Sequence, residues 1–404
     1  MNEVLALERR GLDIEIFTLV RARETVVSDQ VAQVRAPVRY LEDELARPRL
    51  RRVCRHLALW ARHPARYLSL LVYCLRWPSL SAGYGECSAL RCFALAVHVA
   101  ARLDAARGTG RGPVRVHAHF AHDPALVGLL VSRLTKLPFS FTAHARDLVQ
   151  IPPASLAARA AAATTVVTCC RENADYLRRT LPAGLGPPVR VVHHGVSLDR
   201  FRPVPRDPGV CVPRLVSVGR LVEKKGYDDL LRALARVKVA GAEFSCDIYG
   251  DGPQREELMR LRRRLCLEDR VRLLGARSND GVRTALEHAD AFVLTPRVAA
   301  DRDRDGIPNV LVEAMASGLP VVTTSAGGTT ELVRDGDNGL VCPPGDVPAI
   351  AADVEQVLED PALRCRLGAA ARATVEADYD VDAAARELER LFGTAGDVHD
   401  RTPS

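Results

Sequence analysis

The sequence predicts an α/β protein built of two doubly wound domains. Three observations carry this. A chain of 404 residues is long for one hydrophobic core and suits two domains of ordinary size. Apolar runs of strand length alternate with helical periodicities along most of it. That alternation is interrupted at residues 193–201 and the proline-rich stretch 203–213, after which a new series opens at Leu215.

Taken in order, residues 2–11 read as a helix closed by a glycine cap at Gly11, leading into a strand at 12–20. A doubly wound domain normally begins with a strand, so the first strand of the N-terminal domain is expected to be missing from the chain as given. A start codon placed too late is the preferred explanation, because loss of an internal strand would leave its neighbours' backbone groups unpaired.

From residue 45 to 85 there is no acidic side chain, while Arg47, Arg49, Arg51, Arg52, Arg55, Arg62, Arg66 and Arg76 are interleaved with Leu57, Leu59, Trp60, Tyr67, Leu70, Leu71, Tyr73 and Trp77. Such a basic helical segment suits peripheral contact with an anionic membrane. A helix pair with a solvated arginine face is the alternative.

Strands follow at 114–120, 139–144, 164–169 and 189–193, with loops at 105–113 and 182–188. His117 and His119 fall on one strand face. With His122 and Asp123 they resemble the way metallohydrolases gather zinc. Ala121, however, stands where an aspartate would precede the third histidine, and no downstream ligand set accompanies the cluster.

In the second half, Leu215-Val216-Ser217-Val218 reads as a buried strand ending at Gly219-Arg220, followed by a helix carrying Leu230, Leu231, Leu234 and Val237. Arg220 and Lys225 then lie at a strand's carboxyl end, where open α/β sheets bind ligands. Two cations there neutralise a departing diphosphate, unless they are simply solvated loop charges. Further strands are expected at 245–249, 271–274, 291–295, 321–324 and 340–341, with a final helix at 382–392.

The run Asp305-Gly306-Ile307-Pro308-Asn309-Val310-Leu311-Val312-Glu313 sets two carboxylates about a helix start. Pro308 favours the first helical turn, and Gly318 supplies the stop. Unpaired N–H groups of that turn, aligned with the macrodipole, suit a diphosphate. Glu313 then suits a ribose diol, and Asp305 the hydroxyls of a sugar. The alternative is an ordinary helix behind an acidic loop.

Gly219-Arg220 with Lys225-Gly226, the 305–313 block and Gly327-Gly328-Thr329-Thr330-Glu331 together resemble the retaining family 4 glycosyltransferases of GT-B fold. Tyr249-Gly250-Asp251-Gly252-Pro253, Leu274-Gly275, Gly339-Leu340-Val341 and Pro344-Gly345-Asp346 add to the likeness. The charged stretch 301–308 is most similar to the exopolysaccharide and colanic-acid-type members. The resemblance implies two Rossmann-like domains facing a cleft: an acceptor-side domain at 1–200 that includes the basic segment 45–85, and a nucleotide-sugar domain at 201–380. A helix at 381–393 would cross back to the first domain, ahead of a disordered tail at 394–404.

It further implies transfer of a hexose, with retention, from a nucleoside diphosphate sugar to a saccharide or polyprenyl-linked acceptor. Arg220, Lys225, Gly250, Leu274, Gly306, Ile307, Pro308, Asn309, Val310, Leu311 and Glu313 would bind the donor. His144, in Phe141-Thr142-Ala143-His144-Ala145-Arg146-Asp147, would be catalytic with Asp305, or else would cap a strand end. His119 and Arg146 fall on the acceptor side. At position 305 the family's frequent residue is glutamate; the shorter aspartate changes the reach toward the sugar.

No cofactor and no metal are expected. Asp301-Arg302-Asp303 and Asp303-Arg304-Asp305 imitate the manganese-binding Asp-x-Asp signature, but the interleaved arginines repel a divalent ion. No run reaches the ~18 apolar residues of a membrane span, and no signal-type segment opens the chain. The eleven scattered cysteines contain no CxxC pair, and the net charge of +6 does not call for a nucleic-acid partner. The expected location is a reducing cytosol, peripheral at the inner face of a membrane. The alternative function is a catalytically impaired nucleotide-binding or scaffold subunit of a glycan assembly complex.

Overall fold

The computed structural model describes residues 1–21, 29–46, 49–81, 87–107, 114–182, 186–205 and 212–393. Arg47, the tail at 394–404 and much of the loops at 105–113, 182–188 and 203–213 lie outside them. The described residues form two compact units, each with its own hydrophobic core.

The N-terminal unit takes residues 7–21, 35–192 and 386–393. A short parallel pair, β1 (Ile16–Thr18) and β2 (Val38–Tyr40), stands apart from a four-stranded parallel sheet of β3 (Val116–His119), β4 (Phe139–Ala143), β5 (Thr165–Thr168) and β6 (Val189–Val191), paired in that order. The strand expected over 12–20 is therefore three residues long and lies outside the main sheet. Its first half carries acids, and Glu15 turns to Arg39 and to Arg102, the latter at 2.8 Å, which ties β1 to the helix Ala89–Arg107. Every residue of β4 is buried, as suits a strand covered on both faces. The basic segment forms two helices, Arg49–Arg62 and Pro64–Arg76.

The C-terminal unit takes residues 1–6, 29–34 and 193–385. Its six strands are β7 (Arg214–Val218), β8 (Ser245–Tyr249), β9 (Val271–Leu273), β10 (Ala291–Leu294), β11 (Val321–Thr324) and β12 (Leu340–Cys342). All pair in parallel, in the order β12-β11-β10-β7-β8-β9. This is the doubly wound order, and it reverses between β7 and β10. The fully apolar β10 forms the centre with β7, the wholly buried β11 lies beside β10, and the helix Tyr227–Val239 packs Leu230, Leu231, Leu234 and Val237 into the same core.

The last helix, Val381–Phe392, contains the division between the units. Before it, Val196 N–H donates to the Tyr379 carbonyl at 2.9 Å and Val381 N–H to the Val196 carbonyl at 3.1 Å, within the C-terminal unit. Within the N-terminal unit, Arg115 Nε donates to the Phe392 carbonyl at 3.0 Å. Among the described residues, no helix is long and apolar enough to cross a membrane.

Candidate active site

The carboxyl ends of β7 and β10 flank the point of reversal, so the loops leaving them bound a crevice. β7 runs into Gly219 and an exposed Arg220, whose guanidinium pairs with no carboxylate among the described residues. A short 3₁₀ turn, Glu223–Lys225, follows and ends at Gly226, whose φ is +65°. Any side chain at Gly226 would press on the carbonyl oxygen of Thr295, just past β10, so the loops after the two central strands touch there through backbone.

This contact holds Lys224 and Lys225 against the loop after β10. Lys225 Nζ donates to Asp305 Oδ2 at 2.6 Å; Lys224 Nζ lies 3.1 Å from Asp303 Oδ1 and 3.3 Å from Asp305 Oδ1. Burial pushes the Asp305 carboxyl up, but the two ammonium groups outweigh it and hold it below the ordinary carboxylate value. Lys225 and Asp305 are thus brought together, and Lys224 and Asp303 join them. Neither of the last two was assigned to the donor site from the sequence. Their signals were adjacency to Lys225 and alternation with Asp305.

The Asp305 loop is also held from below. Gly327, at φ +61°, allows the chain to run against the Asp305 carbonyl, and Gly328 N–H donates to the Gly306 carbonyl at 3.1 Å. The glycine pair of the 327–331 motif therefore braces the acidic loop by close backbone approach. Glu331 of the same motif meets His193 Nε2 at 2.8 Å, and His193 stacks on Tyr379.

The helix after Asp305 spans Asn309–Ala316. Pro308 was expected as its first residue but is its N-cap, since its ψ of 121° is extended and helical geometry begins only at Asn309. Asn309 is exposed, Leu311 is buried, and Ile307 and Val310 rest against the core, which fixes the helix start. Gly318, at φ +70°, closes the C-terminus as expected. The Glu313 carboxylate accepts no hydrogen bond among the described residues, and burial pushes it up to about 7, opposed by the charge of Arg200. Arg200 is itself paired with Asp280 at 2.9 Å. A half-buried carboxylate with no donor beside it is under-satisfied, and a ligand supplying hydroxyl donors relieves it.

At the edge of the crevice, Gly250 N–H donates to the Gly275 carbonyl and Leu274 N–H to the Ile248 carbonyl, both at 2.9 Å. Gly250 lies against the Gly219 carbonyl, where a side chain would not fit.

In the N-terminal unit, His144 precedes the helix Ala145–Gln150, and its N–H donates to Asp147 Oδ1 at 2.8 Å. Asp147 also accepts from Ala121 N–H, and burial raises its carboxyl to about 7 against those backbone donors. The His144 ring stacks near His119 at 6.4 Å between centroids and lies 4.8 Å from Phe120, a residue at φ 78°. Arg146 is half-buried and, with burial and Arg159, helps pull His122 down to about 4.

His117, His119 and His122 do not converge as a ligand set. His117 uses one ring nitrogen with Ser140 Oγ at 2.9 Å and the other with Thr142 Oγ1 at 3.0 Å. The zinc-hydrolase arrangement therefore does not form.

With this geometry in hand, the profile of the family described as "Glycosyl transferases group 1" matches residues 212–374. Residues 212–374 are thus similar to a group 1 glycosyltransferase domain. An amylovoran biosynthesis glycosyltransferase of Erwinia amylovora is 34% identical over 204 residues, which is 50% of this chain and 50% of the relative. A putative colanic acid biosynthesis glycosyltransferase of Escherichia coli is 35% identical over 205 residues, again 50% of each. The match thus spans about half the length of these relatives.

Among solved structures, the Anabaena protein HepE in complex with UDP and glucose aligns with a TM-score of 0.61 at 22% identity, over 74% of this chain and 80% of that one. The sucrose-phosphate synthase of Thermosynechococcus elongatus aligns at 0.67 and 19% identity, over 96% and 90%. The fold is that of the GT-B glycosyltransferases.

Proposed function

We propose that the chain transfers a hexose, with retention, from a nucleoside diphosphate sugar to a saccharide or lipid-linked acceptor in exopolysaccharide assembly. The observation that carries this reading is the pairing of Lys225 with Asp305 at the point where the strand order reverses, one helix start away from the unpartnered Glu313. A diphosphate takes the cations of Lys225 and Arg220 and the free N–H groups after Pro308. Glu313 accepts from the ribose diol.

Once a diphosphate occupies Lys225, Asp305 is released to accept from the sugar hydroxyls. From the N-terminal unit, His144 is assigned to the reaction, and His119 and Arg146 to the acceptor. The anomeric C–O bond to the diphosphate breaks, and the acceptor oxygen forms its bond on the same face. The leaving phosphate oxygen takes the acceptor's proton. Asp305, neutralised by two lysines, is poorly suited to serve as a covalent nucleophile, which favours this front-face route.

Calorimetric titration with UDP and with GDP, repeated on Glu313→Ala, tests the donor site. One nucleotide should bind, and the variant should lose it; binding of neither, or binding unchanged in the variant, overturns the assignment. Turnover of the matching sugar nucleotide separates a transferase from a binding subunit, which retains the donor intact.

A further inference from the structure

A cavity of about 720 Å³ lies within the N-terminal unit and shares no residue with the candidate active site. Its size falls in the range of roughly 300–1,000 Å³ of small-molecule sites. Four elements each turn one face into it. On the helix Arg49–Arg62, the residues Arg55, Ala58, Leu59 and Arg62 recur at helical spacing. On the helix Ala89–Arg107, His98, Ala101, Arg102 and Ala105 do the same. Glu15 and Phe17, two apart at β1, and Arg39 of β2 close the remaining side.

Charge is unevenly spread along this cavity. Arg55 lies against His98, and His63 lies 3.2 Å from Asp104, so the two helices run side by side in the same direction and Arg62 stands level with Arg102. At the Arg55 end a carboxylate serves its neighbours: Glu44 accepts from Arg55 at 2.9 Å and lies 3.1 Å from His98 Nε2. At the Arg62 end, Glu15 alone accepts from both Arg39 and Arg102, the latter at 2.8 Å. Burial pushes the Glu15 carboxyl up, but Arg102 and Arg39 outweigh it and hold it below the ordinary carboxylate value, so it is ionised. Arg62 is exposed and pairs with no carboxylate among the described residues. Three guanidinium groups thus share one carboxylate, an excess of two positive charges at this end.

That excess selects the ligand's head. A phosphate monoester carries about −1.5 to −2 at neutral pH and three acceptor oxygens, which match arginine forks. A carboxylate carries half that charge. The lining between the two ends selects the body, because Phe17, Leu41, Leu59 and the alanines offer no polar side-chain group. We infer that this cavity binds a phosphate monoester of metabolite size, its head held by Arg62 and Arg102 and its apolar body laid along Phe17, Ala58, Leu59 and Ala101. The inference is independent of the donor reading, since no lining residue belongs to that site. Nucleotide titration of the same preparations reports on the donor site separately.

The test is calorimetric titration of the full-length protein with 1-naphthyl phosphate, with inorganic phosphate and 1-naphthol as the head and the body alone. The ester should bind at least ten-fold more tightly than either part. Arg62→Gln removes no ion pair of the described fold and should weaken the ester about ten- to a hundred-fold, the loss of one charged hydrogen bond. Ala58→Phe fills the cavity without touching a charge and should abolish binding. Both variants should titrate with nucleotide as the parent does.

No binding of the ester to the unaltered protein overturns the inference. So does binding of inorganic phosphate or of naphthol as tight as that of the ester, since the cavity would then not read both halves. Ester affinity unchanged in Arg62→Gln and Ala58→Phe but lost in Lys225→Ala would place the phosphate in the donor crevice and overturn it as well.

Discussion

Lys225 Nζ lies 2.6 Å from Oδ2 of Asp305, so a cation suited to a diphosphate and a carboxylate suited to a sugar neutralise each other. Lys224 reaches the other oxygen of Asp305 at 3.3 Å and keeps the carboxylate ionised despite its enclosure. On the proposed reading, donor binding exchanges one ion pair for two separate sets of contacts. The cost of releasing Lys225 is limited because Asp305 retains Lys224.

This exchange predicts opposite behaviour for the two partners. Lys225→Ala should weaken the binding of the cognate nucleoside diphosphate about ten- to a hundred-fold, from loss of a charged hydrogen bond of roughly 1.5–3 kcal/mol. Asp305→Asn should leave that affinity unchanged or raise it, because Lys225 is no longer held. Turnover of the sugar nucleotide should nevertheless fall by about a hundred-fold. Calorimetry with the diphosphate and a turnover assay on the two variants check both halves; equal loss of diphosphate affinity in both would refute the exchange.

Glu313 predicts a pH dependence. Burial raises its carboxyl from 4.5 to about 7, so the folded protein holds a proton there that the unfolded chain releases. The sign follows directly: this group's contribution to stability is full below about 4.5 and is lost as pH rises toward 7. Denaturant midpoints should show Glu313→Gln gaining on the parent between pH 5 and 8. Nucleotide affinity should run the other way in the parent, rising over the same interval as the carboxylate becomes able to accept from both ribose hydroxyls. A parallel rise in Glu313→Gln would place the titrating group elsewhere.

The legible and illegible parts of this fold differ in physical kind. β10 and β11 could be bounded to within a residue from sequence because wholly apolar or β-branched runs between turn residues have few other ways to be buried. The helix around Glu313 was placed to within a residue, with Pro308 one step outside because ψ is not written in a proline's ring. The strand at 12–20 misled, since its alternation is carried partly by Glu15, which serves Arg39 and Arg102. At the candidate site, Lys225 and Asp305 were named as separate charges. Their pairing, with Lys224 and Asp303 alongside, spans about eighty positions of sequence and depends on two loops meeting through Gly226, which no local pattern encodes.

That meeting point gives a stability prediction. Gly226 has φ +65°, and a methyl group there would overlap the Thr295 carbonyl oxygen; Thr295 Oγ1 also donates to the Gly226 carbonyl at 2.8 Å. Gly226→Ala should destabilise the protein by about 2 kcal/mol or more, combining left-handed strain with overpacking. It should also weaken nucleotide binding, because the turn carrying Lys225 must shift. A urea midpoint within error of the parent would mean that the two loops do not need this contact.

Metal dependence follows from the same charges. Asp303 and Asp305 stand at the spacing of a manganese-binding pair, but Lys224 and Lys225 occupy their oxygens at 3.1 and 2.6 Å. A divalent cation would have to displace two ammonium groups that already neutralise the carboxylates, and Arg302 and Arg304 add to the repulsion in the same loop. Once Lys225 turns to a diphosphate, it and Arg220 meet the leaving group's charge with no need of an ion. Turnover of the cognate sugar nucleotide should therefore be unchanged in excess EDTA and insensitive to added manganese or magnesium. Activity lost to EDTA and restored by manganese would assign Asp303 and Asp305 to a metal and overturn the role given to Lys225.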